Sequence, residues 1–209
     1  MAKLFSVDSK TMQFLSRIWD LLLLNLLFII GSLFVVTFGV SLIAAYSVTL
    51  KMAEDREESI VLAYFRAFKA NLRQGLILTI AYAAAAAAVV IDFVLFENIK
   101  DNPIGFLIIG IISAVLVFVH FFYVWALAAR YHNSIFRHLT NSRSIFVRFF
   151  GRSMLCLVLV AFEVWLFFLN SWMLLFIGIF IAPIMIIATK SAFAIKLFRV
   201  IEAEKAGPE

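Results

Sequence analysis

Apolar blocks alternate with shorter polar segments along the whole chain. A helix rises about 1.5 Å per residue, so roughly 20 apolar residues cross the hydrocarbon core of a bilayer, which is about 30 Å thick. The pattern therefore predicts an all-α fold, a polytopic transmembrane helical bundle with about five membrane-spanning helices. We expect one membrane domain over residues 1–209, with transmembrane helices at about 21–48, 75–96, 104–129, 153–169 and 172–194.

The first apolar block is longer than one straight crossing needs. It carries Gly31, Thr37 and Gly39 near its middle. Two interpretations remain open: the block crosses the membrane once, or it breaks between the two glycines and returns to the side where it began. A single crossing is slightly favoured, because other helices must shelter a re-entrant backbone from lipid.

Three polar segments have helical periodicity and are predicted to lie on the membrane surface. An interfacial helix is expected over residues 4–20, which Asp8 and Asp20 distinguish from a cleaved signal. The other two surface segments are residues 51–74 and 130–152, in which basic and apolar side chains are interleaved. The basic residues expected to contact lipid or a protein partner are Arg66, Lys69, Arg73, Arg130 and Arg137.

Composition excludes a soluble protein. Hydrophobic residues make up 65% of the chain and the mean hydropathy is +1.05, whereas soluble domains are about half apolar. Eighteen Lys and Arg residues against thirteen Asp and Glu give a net charge of +5. Most of the basic residues flank apolar blocks, where they meet headgroups, so we do not expect nucleic acid as a partner.

The distribution of Lys and Arg predicts the orientation, because these residues concentrate on the cytoplasmic side. The segments after the five blocks hold five, one, five, none and four of them. Blocks two to five then cross four times and leave the C-terminus in the cytoplasm. Five straight crossings would place the N-terminus outside, with fourteen basic residues on the cytoplasmic side and four outside. A returning first block would place seventeen on the cytoplasmic side and one outside.

Three ionisable residues inside the apolar blocks are candidates for function, because charge in hydrocarbon is costly. Glu163 lies about 15 Å and His120 about 14 Å from the cytoplasmic ends of their helices, so the two could pair near the bilayer midplane. Alternatively, each is neutral and satisfied by another partner. Asp92 is about 26 Å from the start of its helix, near the outer interface, where it could be a solvated helix end.

Motifs for catalysis, nucleotide binding or metal binding do not occur in the sequence. Two of the three histidines, His132 and His138, lie in a basic surface segment and form no recognisable metal set with His120. Cys156 is the single cysteine, which excludes an intramolecular disulfide. We therefore expect no enzyme, no cofactor and no metal site.

The N-terminal third resembles the YesL-like family of bacterial membrane proteins of unknown function. The segments that carry the resemblance are NLLF at 25–28, TFG at 37–39, LK at 50–51, FRAFKAN at 65–71 and, later, ARY at 129–131. Family members usually have a proline where this chain has Phe34, which weakens the case for a broken first helix. The resemblance implies a role around carbohydrate import by ABC transporters, although the chain lacks the E-A-A loop of a permease subunit.

The function expected from the sequence is a non-catalytic accessory or regulatory membrane protein linked to carbohydrate ABC transport. Its partners would be the lipid bilayer and, as the resemblance implies, transporter subunits, with self-association as a further possibility. The alternative is a small oligomeric transporter or channel that uses His120 and Glu163. In both cases we expect a multi-pass protein of the bacterial plasma membrane.

Overall fold

The computed structural model describes residues 10–54, 59–99 and 104–206, and within these ranges all regular structure is helical. The predicted all-α fold is therefore confirmed. Residues 4–9 of the predicted interfacial helix lie outside the described residues. The helices are α1 (Lys10–Gly31), α2 (Phe38–Met52), α3 (Ile60–Ala70), α4 (Leu72–Asn98), α5 (Ile104–Phe121), α6 (Val124–Arg130), α7 (Ile135–Arg148), α8 (Phe150–Val164) and α9 (Trp172–Ala206).

Five segments of the described chain are long and apolar enough to cross a membrane, as the sequence predicts. Large apolar side chains cover the outside of most of them, with Ile80, Ile108, Val158 and Phe180 all more than half exposed. Such a surface is stable only against lipid. The five segments are Val35–Met52, Leu72–Asn98, Ile104–Arg130, Phe150–Leu169 and Leu174–Glu204.

The first apolar block is not one helix, because a break divides the region that was predicted as one helix over 21–48. The chain leaves α1 after Gly31 and passes through a 3-10 turn, Val35–Thr37, into α2. The Thr37 hydroxyl donates to the Gly31 carbonyl at 2.8 Å and closes this turn. A side chain at position 31 would clash with the Tyr64 hydroxyl, which explains the glycine. No helix boundary falls near residue 20, because α1 runs unbroken through it.

Helices α1 and α2 form a hairpin that packs against α9. The Ser41 hydroxyl of α2 donates to the Phe28 carbonyl of α1 at 2.9 Å, across the turn. On its other side, α1 inserts the buried Asn25 amide beside Pro183 of α9. Asn25 donates to the Phe180 carbonyl at 2.6 Å and accepts from the Ile184 amide at 3.1 Å. One side chain thereby satisfies backbone groups next to the proline.

Helix α2 is the centre of the fold and packs against α3, α4, α6 and α9. Ten of its fifteen residues are buried. Its contact with α4 is a backbone contact, since a Cβ on Gly75 would lie 2.7 Å from the Val40 Cα. One turn later, Thr79 of α4 accepts a hydrogen bond from the Gly39 amide at 3.0 Å.

These contacts fix the height of the hairpin relative to α4. The N-terminal end of α2, at Gly39, lies beside Thr79, in the second turn of α4. Helix α4 then continues for nineteen residues to Asn98, or about 28 Å, close to the thickness of the hydrocarbon core. The hairpin tip exposes Leu33 and Phe34, and the start of α2 that follows it lies beside the second turn of α4.

Helix α7 is amphipathic and lies beside the junction of α5 and α6. Its outer face exposes Phe136 and Arg137, whereas His138 and Ser142 are fully buried on the inner face. The Ser142 hydroxyl accepts a hydrogen bond from the Tyr123 amide at 3.0 Å. That amide lies in the short break between α5 and α6, so α7 satisfies a backbone donor that the break leaves open.

The buried His138 makes stability depend on pH. Burial lowers the pKa of its imidazole; a hydrogen bond with the Asn133 backbone only partly offsets this, and electrostatic interaction with His132 adds to the lowering. Because the folded pKa lies below the unfolded value of about 6.5, the unfolded chain binds more protons, and stability falls as pH drops below that value. We expect the melting temperature in detergent to fall from neutral to mildly acidic pH.

The matched variants for this prediction are His138→Leu and His132→Gln. His138→Leu should flatten the pH profile of the melting temperature, whereas the exposed His132→Gln should leave it nearly as steep as in the wild type. An unchanged profile in His138→Leu would show that other groups cause the pH dependence.

Candidate intramembrane polar site

Polar side chains from four helices meet inside the bundle, between α2, α6, α8 and α9. Cys156 of α8 is fully buried and lies near Tyr46 of α2 and the junction residue Tyr123. The Tyr123 hydroxyl and Ser153 hydroxyl are 3.1 Å apart. We call this group, together with Glu163, Thr189 and Lys190, the polar cluster.

Glu163 has one satisfied and one unsatisfied oxygen. Its Oε1 accepts a hydrogen bond from the Thr189 hydroxyl of α9 at 2.5 Å. Its Oε2 is buried and has no hydrogen-bond partner among the described residues. A buried acceptor without a partner costs free energy, so Glu163 stays a candidate functional residue.

The structure does not pair His120 with Glu163. His120 Nδ1 lies 2.7 Å from the Leu116 carbonyl of its own helix. Glu163 bonds to Thr189 instead, on the helix packed against α8. Each group therefore has a separate partner. The depths of His120 and Glu163 along their helices, estimated from the sequence, could not identify these partners, because depth does not specify which faces of two helices meet.

Asp92 lies between α4 and α5, near the end of α4 distant from α2. Its Cβ would be 3.3 Å from a Cβ added to Gly110 of α5, so the glycine leaves room for the carboxylate-bearing side chain. Only six residues separate Asp92 from the last residue of α4. Asp92 is thus near one end of α4, and among the described residues it makes no hydrogen bond or ion pair with a residue of the polar cluster.

Lys190 belongs to the cluster, and sequence reasoning missed it. It lies within the helix predicted over 172–194 but was counted only among the four basic residues of the last segment, and α9 continues past it to Ala206. Its ammonium lies 4.4 Å from the ring centroid of Phe122, a cation–π contact. No carboxylate of the described residues lies within ion-pair distance. The apolar residues that follow it, at 192–195, were the signal that the packed helix continues.

Arg130 has an internal role instead of the predicted contact with lipid or a partner. Its guanidinium binds both carboxylate oxygens of Glu202, at 2.9 and 3.1 Å, and one oxygen of Glu54 at 2.8 Å. The Tyr131 hydroxyl donates to Glu202 at 2.5 Å. Burial and this bond raise the pKa of Tyr131, which keeps the phenol protonated. Arg130 thus joins α6 and α9 to the segment after α2.

The other four predicted basic contacts are exposed. Arg66 and Lys69 lie on α3, Arg73 on the first turn of α4, and Arg137 on α7. Their helices are held to the core by buried inner faces, such as Tyr64 on α3 and His138 on α7. The exposed basic side chains are therefore presented by packed helices and not by loops.

Residues 21–93 match the model of a family described as a protein of unknown function, DUF624. The match covers about a third of the chain: the second half of α1, all of α2 and α3, and α4 as far as Phe93. No curated protein and no solved structure matches the chain. The matched region is the hairpin with its α3 and α4 neighbours, so the polar cluster draws only Tyr46 from it.

Proposed function

We propose that the protein is a non-catalytic accessory component of the bacterial plasma membrane that docks onto a carbohydrate ABC importer. The observation that carries the proposal is the set of exposed basic residues on helices whose opposite faces are buried. Such a surface keeps its geometry and suits electrostatic docking. The importer as partner follows from the resemblance to the YesL-like family. We call Lys69, Arg73 and Arg137 the basic surface.

The proposed topology has four crossings, by α4, α5, α8 and α9. In this topology the α1–α2 hairpin enters and leaves the membrane on the same side, which the break between α1 and α2 and the contact of Gly39 with Thr79 of α4 support. Helices α3, α6 and α9 shelter the backbone of α2, which removes the objection to a re-entrant segment. This arrangement places seventeen of eighteen basic residues, together with both termini, on the cytoplasmic side.

Burial of Cys156 supports a non-catalytic role. The only thiol in the chain is fully buried and faces the tyrosines of the cluster, whereas a nucleophilic cysteine needs access to its substrate.

The alternative function is a small oligomeric transporter or channel that uses His120 and Glu163. The unsatisfied Oε2 of Glu163 favours it, while the separate partners of the two residues do not. Under this alternative, Glu163→Gln would abolish solute flux but would not change the association of the protein with its partners.

Capture of the importer tests the proposal. The tagged protein is purified from native membranes in mild detergent, and importer subunits are quantified by mass spectrometry. Replacing Lys69, Arg73 and Arg137 with glutamine should reduce their recovery about tenfold, since each peripheral charge contributes roughly 0.5 kcal/mol. High salt should have a similar effect on the wild type, because it screens exposed charges.

The control for capture is the double variant Lys196→Gln and Arg199→Gln, which removes exposed charges from α9 and should retain the importer. Recovery of the tagged protein alone from wild-type membranes would contradict the proposal. Equal recovery with the triple variant would show that the basic surface is not the contact.

A further inference from the structure

A cavity of about 610 Å³ opens between α4, α5 and the central helices, and it contains part of the polar cluster. Its volume is within the range of about 300 to 1,000 Å³ that is common for ligand sites. One end is formed by small and aliphatic side chains of α4 and α5, among them Ala86, Val90, Ala114 and Val117. This end has the chemistry of a hydrocarbon-binding groove.

The opposite end of the cavity carries a positive charge. Lys190 lines it, next to Phe122 and Tyr46. Within the described chain, no carboxylate pairs with the Lys190 ammonium, and the Tyr46 hydroxyl makes no hydrogen bond. A cation in apolar surroundings is stable only with a compensating anion or strong polar contacts. The cavity therefore combines an apolar compartment with an unneutralised donor at one end.

The charged end lies at the depth of the interfacial helix α7. Phe122, the ring under the Lys190 ammonium, packs against Phe146 of α7 with 5.2 Å between ring centroids. The apolar end lies deeper, because α4 lines the cavity from Tyr82 to Val90, eight residues or about 12 Å. The order of charged and apolar ends matches that of a headgroup and an acyl chain in one leaflet.

We propose that the cavity binds an anionic phospholipid of the cytoplasmic leaflet, with its phosphate at Lys190 and one acyl chain between α4 and α5. A zwitterionic lipid would bring a second cation to the Lys190 ammonium, which disfavours it. This inference uses the membrane orientation proposed above, but it does not depend on the importer. Lipid binding and importer capture can therefore fail independently.

Native mass spectrometry of the delipidated protein tests the inference. The protein is incubated separately with phosphatidylglycerol, phosphatidylcholine and oleate. Wild type should retain phosphatidylglycerol about tenfold better than phosphatidylcholine, as expected for one charge contact of about 1.4 kcal/mol. Lys190→Met should lose this preference and Lys190→Arg should keep it. Lys196→Met, which removes an exposed charge from the same helix, should behave as wild type.

A pair of alanine variants tests the acyl compartment without touching the charge. Ala86→Trp fills the cavity and should abolish phosphatidylglycerol retention, whereas Ala87→Trp, on an exposed neighbouring position outside the cavity, should not. This pair decides the question if Lys190→Met is not recovered as folded protein. Equal retention of phosphatidylcholine, preferential retention of oleate, or full binding by Ala86→Trp would each overturn the proposal.

Discussion

Replacing Gly75 with alanine is expected to lower the free energy of unfolding by about 3 kcal/mol, the upper part of the range for overpacking a tight contact. The added Cβ would lie 2.7 Å from the Val40 Cα and 2.9 Å from its amide nitrogen. These are backbone atoms of another helix, so no side-chain rotation relieves the clash. Helices α2 and α4 would have to move apart, and the Gly39–Thr79 hydrogen bond would lengthen with them.

The matched control is Gly151→Ala in α8. No atom lies within 4 Å of a Cβ at this position. Alanine should therefore be neutral or stabilising there, by up to about 1 kcal/mol, because it has the higher helix propensity. Both variants can be compared by thermal or denaturant unfolding in the same detergent. Wild-type stability of Gly75→Ala would contradict direct backbone packing between α2 and α4.

Replacing Arg130 with alanine is expected to cost about 2 kcal/mol, between the range for buried ion pairs and that for exposed ones, because the Glu202 side chain is 40% exposed. The guanidinium side chain is only 20% exposed and Glu54 only 11%. Its loss would remove the guanidinium that both carboxylates, of Glu54 and Glu202, bind. Helix α6 and the end of α9 would then lose their main polar connection.

Two variants make the Arg130 prediction specific. Arg130→Lys keeps the charge but cannot bind both oxygens of Glu202 and Glu54 at once, so it should recover only part of the stability. Arg148→Ala breaks an ion pair with Glu204 in which both side chains are about half exposed, and it should cost less than about 1 kcal/mol. Equal effects of Arg130→Ala and Arg148→Ala would show that the internal contacts of Arg130 add nothing.

The helical class and the approximate positions of the apolar helices were predictable from the sequence, because both depend on local composition. Block length alone located both ends of α4 to within three residues and the start of α5, but it did not predict that α5 ends at Phe121 and that α6 follows. The break in the first block was signalled by Gly31 and Gly39. These two glycines did not by themselves predict a break, since a glycine in a membrane helix can also allow another helix to pack closely against it. The deciding feature, a shelter of α3, α6 and α9 around α2, is a property of the assembled fold.

The candidate site was less predictable than the helices, because its contacts also depend on how the helices pack in the assembled fold. Glu163 could be identified as a costly intramembrane acid, but its partner Thr189 depends on how α8 and α9 face each other. Lys190 looked like a tail residue because a charge after an apolar block usually marks the membrane boundary. Asn25 is another such case, since its role beside Pro183 joins positions about 160 residues apart.

Membrane-impermeant cysteine labelling tests the proposed topology most directly. Single cysteines are placed at Ser16, Asn141 and Asn98, all exposed, in a Cys156→Ser background and compared in vesicles of known orientation. A returning α1–α2 hairpin predicts that positions 16 and 141 are labelled from the cytoplasmic side and position 98 only from the opposite side. Labelling of position 16 together with position 98 would contradict the account, because the first apolar block would then cross the membrane.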